Sequence, residues 1–315
     1  EIYTLSLHDA LPICRRIPPG MGAGAITMNR LLADNLRCVS DYRAQLGETP
    51  IWCDRSASLL WVDILAGKLL RYWPQAQRTE IHQMPVFTSA VLLTTLQDVF
   101  IAVSQSGIWC YDYVNLAKTL LSPWPETEKG KRPNEATIAP DGSLWFSTMD
   151  PKAIETSGTW YRLDAAGGEA KKMLGAQQVP NTLQWYDDYV WFADSLRHQI
   201  HCAKETANAL TIQQTYCVPG IPDGSALTTD GLLINARWGS SLLTVAALKK
   251  TTMMPLYDLP LPVCQPSSCT FGGPELSDLF ITSARDGLLS PDSIDGALIS
   301  IKTPYTGMPE RRFRL

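Results

Sequence analysis

One pattern recurs along the chain: an Asp, Gly or Ser turn, followed by four to six positions that are alternately or continuously apolar. It appears as SLLWVDI around Trp61, DVFIAVS around Phe100, GSLWFST around Trp145, DYVWFAD around Trp191, GLLINAR around Ile234 and DLFITSA around Phe280, with centres 39 to 46 residues apart. A second apolar run follows each centre (KLLRYW, GIWCYDY, TWYRLD, QIHCAK, SLLTVA, ALISIK), and another precedes it (TPIWCD, AVLLTT, EATIAP, TLQWYD, GSALTT, CTFGGPE). Short runs separated by turn residues predict strands rather than helices. Six units with a period of about 40–45 residues predict an all-β chain, a six-bladed β-propeller with four-stranded blades. A β-sandwich has no repeat of this length, and a seventh blade would need one more unit than the chain contains. Closing the ring requires a strand from the other end of the chain. The run LRCVSDY at 36–42 is predicted to supply it, as the outer strand of the last blade near 279–302.

Composition then narrows the class of partner. With 45% hydrophobic and 18% charged residues and a formal net charge of −4, the 315-residue chain offers no basic field for nucleic acid or acidic lipid. No apolar run is long enough to cross a membrane. Of eight cysteines, Cys14 stands beside an atypical leader, and the remaining seven include no CxxC pair. Free thiols in a reducing cytoplasm are therefore expected, with no bridge between Cys264 and Cys269. Residues 1–13, EIYTLSLHDALPI, resemble the conceptual translation of a sequencing adapter and lack the basic, apolar and small-residue succession of a signal peptide. The expectation is a leader over residues 1–30, a biological start at Met21 or Met28, and one propeller domain over residues 31–315, a monomer or weak homo-oligomer.

The repeat also converts position into geometry. The residues 10 to 13 before each strand centre fall at the entrance to the innermost strand, which lines the central channel. They are Glu48, Ser89, Arg132 with Asn134, Asn181, Asp223, and Cys269 with Thr270. Such entrances converge on one mouth, so these side chains are predicted to meet. Glu48, Asn181 and Asp223 are oxygen ligand types, and two carboxylates and an amide in one funnel call for one hard divalent ion completed by water. Ca, Zn, Mg and Mn all fit. The opposing reading is that Asp in Pro-Asp-Gly and Asn before a strand form turns through their own side chains; Asp141-Gly142 and Asp230-Gly231 are read that way. His198 and His201 would lie on opposite faces of a strand and are expected at the surface. There is no Gly-x-Ser-x-Gly elbow and no phosphate-binding glycine loop, which argues against covalent catalysis and nucleotide cofactors.

At these residues the chain resembles the senescence marker protein (regucalcin) and gluconolactonase family of metal-dependent lactonases. The resemblance rests on Leu46-Gly47-Glu48-Thr49-Pro50-Ile51-Trp52, Leu60-Trp61-Val62-Asp63-Ile64, Arg132-Pro133-Asn134-Glu135, Asp141-Gly142-Ser143-Leu144-Trp145-Phe146, Trp191-Phe192-Ala193-Asp194, Pro222-Asp223-Gly224-Ser225-Ala226 and Cys269-Thr270-Phe271-Gly272-Gly273-Pro274. It implies one catalytic divalent cation held by Glu48, Asn181 and Asp223, with Asp223 also the general base, and Arg132 and Asn134 contacting substrate. The implied activity is hydrolysis of a sugar lactone, such as an aldonolactone like gluconolactone, to the aldonic acid. Thr49 and Thr182 stand where the family's usual motifs have glycine, and Glu135-Ala136 where it has Asp-Gly. An acidic substrate contact after Thr148-Met149 is implied, with Asp150 and Glu155 as candidates. Two other classes share such a site: a metal-dependent esterase or phosphotriesterase, and a non-enzymatic calcium-binding regulator.

Overall fold

The structure, a computed structural model, describes residues 35–315; the expected leader lies outside the described residues. The described residues form twenty-four strands in six four-stranded sheets. Blade 1 comprises β2 (Gly47–Cys53), β3 (Ser58–Asp63), β4 (Lys68–Trp73) and β5 (Arg78–Gln83); blade 2, β6 (Ala90–Leu93), β7 (Val99–Ser104), β8 (Gly107–Asp112) and β9 (Ala117–Ser122). Blade 3 comprises β10 (Arg132–Ile138), β11 (Leu144–Met149), β12 (Gly158–Leu163) and β13 (Lys171–Gln177); blade 4, β14 (Pro180–Tyr186), β15 (Tyr189–Asp194), β16 (Gln199–Glu205) and β17 (Leu210–Cys217). Blade 5 comprises β18 (Ile221–Leu227), β19 (Leu232–Trp238), β20 (Leu242–Lys249) and β21 (Thr252–Pro260). Blade 6 pairs β22 (Pro266–Gly272), β23 (Asp278–Ser283) and β24 (Ile299–Lys302) with β1 (Arg37–Cys38), which lies antiparallel to β24. The ring therefore closes through the 36–42 segment, as the sequence predicts. Among the described residues no helix is long and apolar enough to cross a membrane.

The six strand centres are all buried, at 0 to 4% exposure. Trp145, Trp191 and Phe100 are among the largest fully enclosed side chains. Because the apolar periodicity places one large residue per unit between neighbouring sheets, each contributes about 2–3 kcal/mol of burial. The inner strands are joined at the channel by side chains that donate to the next blade's backbone. Thr49 Oγ1 reaches Ser89 O at 2.8 Å, Asn134 Nδ2 reaches Pro180 O at 3.1 Å, Thr182 Oγ1 reaches Asp223 O, and Ser267 Oγ closes the circle on Gly47 O. Cys264 and Cys269 are not bridged to each other. His198 is exposed, but the expectation that His201 lies at the surface is corrected. On β16 its ring packs against Phe192 at 4.9 Å and its Nδ1 meets Thr215 Oγ1 at 3.0 Å, because that strand face looks between sheets.

Candidate active site

The innermost strand of five blades carries a break in pairing register. It falls between Glu48 and Ile51, Pro133 and Ala136, Asn181 and Leu183, Pro222 and Ser225, and Pro266 and Ser268. Such bulges re-aim side chains. They occur where the sequence places Glu48, Asn134, Asn181 and Asp223, and β6, which contributes none of these, pairs without a break. In blade 6 the break falls at Ser267, whose hydroxyl bonds Gly47 O of blade 1, and none of Ser267, Cys269 and Thr270 lines the mouth cavity. Cys269 and Thr270 lie deeper, in a second channel cavity with Thr49, Glu135, Gln184 and Glu310. Thr49 and Thr182 occupy the bulges in left-handed backbone, each with φ +45°, a conformation that resists β-branched residues. Their hydroxyls explain how it is held, since both bond across to the next blade, and Thr182 Oγ1 also accepts Asn235 Nδ2 at 3.1 Å. Gly224 is required for another reason: a Cβ there would collide with the Ser268 side chain.

Two buried carboxylates fix the approach of the ligand-bearing strands. Asp63 accepts the Gln45 and Leu46 N–H groups at 2.8 and 3.1 Å, just before Glu48. Asp194 accepts those of Gln178 and Val179 at 2.9 and 3.1 Å, just before Asn181. Backbone donors aimed at a charged acceptor form the stronger class of hydrogen bond, and both aspartates are fully buried.

Glu48, Arg132, Asn134, Asn181 and Asp223 all line one cavity at the channel mouth. Burial and the neighbouring Glu135 carboxylate push Glu48 up from 4.5 to about 8, against the opposing pull of the Thr49 N–H and Arg132. Burial, then Glu48 and Glu135, hold Asp223 well above the ordinary carboxylate range. Burial raises Glu135 to about 7, partly offset by the Ala136 and Thr182 N–H groups. Like charges this close are relieved by protons or by a cation. Among the described residues no three His, Cys, Asp or Glu side chains form a ready-made metal cluster, but here the third donor is an amide. Ser195 Oγ donates to Pro222 O at 2.6 Å and so must accept from Asn181 Nδ2 at 2.9 Å, leaving Asn181 Oδ1 as the atom for a ligand. Two carboxylates and a fixed amide oxygen match the donor preference of a hard divalent cation.

Arg132 donates through Nη1 to Pro133 O and Asn134 Oδ1, both at 2.9 Å. Burial lowers it to about 10, countered chiefly by Glu48, so it stays charged at neutral pH. Asn134, tied to blade 4 through Pro180, acts as its clamp. The two acidic candidates after Met149 are placed differently. Asp150 accepts the N–H groups of Lys152, Ile154 and Glu155. Burial would raise it, but those bonds outweigh the effect and hold it low; it organises its own loop. Glu155 is exposed and does not line the mouth cavity. The acid on the mouth is Asp286, whose charge acts on Arg132. It lies beyond β23 in the β23–β24 connection, which is longer than its counterparts in the other blades, and the repeat gave no signal for it.

Comparison with known proteins agrees with this architecture. The model of the SMP-30/Gluconolactonase/LRE-like region matches residues 46–285. Regucalcin from Oryctolagus cuniculus is 27% identical over 82% of this chain and 89% of its own length. The 6-deoxy-6-sulfogluconolactonase of Pseudomonas putida is 28% identical over 89% of this chain and 99% of its own. Among solved structures, a calcium-binding protein, regucalcin, from Agrobacterium tumefaciens superposes with a TM-score of 0.79 at 24% identity, covering 89% of this chain and 97% of that one. A six-bladed ring, ligand-type residues repeated at its bulges, and a family match over most of its length together place the chain in the SMP-30/gluconolactonase/LRE-like family.

Proposed function

We propose that the channel mouth hydrolyses a lactone with the help of one divalent cation held by Glu48, Asn181 and Asp223. The observation that carries this reading is the buried pair of mutually repelling carboxylates beside an amide whose nitrogen is already committed to Ser195. Bound there, the cation would supply Lewis-acid polarisation of the lactone carbonyl. Arg132, clamped by Asn134, orients the ester and keeps its positive charge beside the oxygen that becomes negative as water adds to the carbonyl carbon. Asp223 is the proton acceptor: it takes the proton of the attacking water and returns it to the ring oxygen as the carbon–oxygen bond breaks, giving a hydroxy acid. Sugar lactones, including aldonolactones such as gluconolactone, are the reference substrates, because one relative is named for such a lactone.

Titration calorimetry with Ca²⁺ and Mn²⁺, alongside a pH-indicator assay of lactone opening, tests both parts. Asp223→Ala is expected to lose cation binding and to lower turnover by at least about 100-fold. An Asp223→Ala protein with full activity would overturn the assignment.

A further inference from the structure

The mouth cavity carries little polar chemistry beyond the proposed ion site. Of its polar residues, Glu48, Asn181 and Asp223 are assigned to the cation, and Ser195 is committed to Asn181 and Pro222 O. The Asn134 amide is engaged at both ends, by Arg132 and Pro180 O. The cavity's remaining polar groups are the Arg132 guanidinium, the Asp286 carboxylate and the Trp238 indole N–H. The walls are apolar: Leu46, Met149, Val179, Leu196, Ile221 and Trp238. Leu46, Met149 and Ile221 are buried, whereas Val179, Leu196 and Trp238 are only half-buried and present surface to the opening. These three come from the entrance to blade 4, the turn after β15 and the end of β19 in blade 5, and all line the same cavity. The rim adds to this character: Ile154, next to the cavity-lining Ala153, is 60% exposed, and Leu289, in the connection that carries Asp286, is 94% exposed.

An aldonolactone carries a hydroxyl on nearly every ring carbon. Hydroxyls pressed against these walls would lose water without gaining partners. An alkyl or aryl group in the same place would gain from leaving water. Resting on the lactonase reading above, we propose that the preferred substrate is a lactone bearing an apolar substituent, seated on Val179, Leu196 and Trp238. Arg132 and Asp286 handle the ester and at most a few hydroxyls.

The test compares kcat/KM for glucono-δ-lactone and δ-decalactone, with Mn²⁺ present and spontaneous hydrolysis subtracted. The alkyl lactone is expected to be preferred by about 100-fold, the discrimination an apolar pocket achieves against one added hydroxyl. Leu196→Asn, at a half-buried turn position, should cut that preference at least about tenfold, chiefly through KM of the alkyl lactone. Equal or better turnover of glucono-δ-lactone by the unaltered protein overturns the substrate proposal while leaving the lactonase reading intact. Hydrolysis of neither lactone overturns both.

Discussion

Glu48, Glu135 and Asp223 illustrate how burial turns ordinary carboxylates into a proton store. Glu48 titrates near 8 and Glu135 near 7, because both sit in the channel and Glu48 also faces Glu135. In the unfolded chain such groups ionise near 4–4.5. The folded, cation-free protein therefore holds protons that the unfolded chain has lost, and the stability they contribute is present below about 4.5 and lost as pH rises to about 8. A cation must displace those protons, so its apparent affinity should climb through the same interval, by up to about tenfold per pH unit for each proton displaced. Thermal unfolding in chelator and in Ca²⁺ between pH 5 and 8.5 measures both trends. The chelated protein should lose Tm with rising pH, and the Ca²⁺ increment should grow. A pH-independent increment would show that these carboxylates are ionised without the ion and do not hold shared protons.

At the scale of the strand, the bulge decides where chemistry is possible. Thr182 bears two burdens there, a φ of +45° and the bonds to Asp223 O and Asn235 Nδ2. Thr182→Val keeps the strained backbone and removes both bonds; with buried polar groups left unpartnered, it should cost about 2–3 kcal/mol. Thr182→Gly removes the same bonds but relieves about 1–2 kcal/mol of left-handed strain, so it should lie within about 2 kcal/mol of the parent and be more stable than the Val variant. Denaturant unfolding of the two variants separates these effects, and a Val variant as stable as the parent would remove the hydroxyl from the explanation. The bulge also shows what a linear sequence hides. Glu48, Arg132, Asn134, Asn181 and Asp223 were legible because they recur in phase with the buried centres. Counting back from Phe280 singled out Cys269 and Thr270, but these lie in the deeper cavity and not at the mouth. The hydroxyls of Thr49 and Thr182 could not be read as substitutes for glycine until their reach to the next blade was visible.

Over the whole molecule, the six-bladed ring was readable from apolar periodicity alone, whereas the segment that fastens its lower face was not, since residues 303–315 carry no repeat and few apolar positions. This segment touches every blade. Arg312 pairs with Asp54 of blade 1, and Phe313 exchanges backbone bonds with Leu93 and Thr95 of blade 2. Arg311 donates to Ile138 O of blade 3 and lies over Trp185 of blade 4 at 5.7 Å. Met308 N–H bonds Leu227 O of blade 5 at 2.9 Å, and Glu310 accepts Thr270 Oγ1 of blade 6 at 2.8 Å. A closed ring whose neighbours contact only each other can open at its weakest seam; a segment joined to all six blades makes opening at any one seam disturb the others. Phe313 is its anchor, fully buried and packed in the same core as Leu93, Phe100 and Phe146. Phe313→Ala should cost about 3–5 kcal/mol, a fall in Tm of roughly 10 °C, whereas Leu315→Ala, at a position 39% exposed, should shift stability by no more than about 0.5 kcal/mol. The segment also floors the channel, since Glu310 and Arg311 line its deeper cavity. Phe313→Ala should therefore loosen the channel and weaken Ca²⁺ binding at the mouth, although Phe313 is not among the residues that line the mouth cavity. Calorimetric unfolding with and without Ca²⁺ reads both effects. If the Phe313 variant unfolds at the parent temperature, the ring is held by blade-to-blade packing alone.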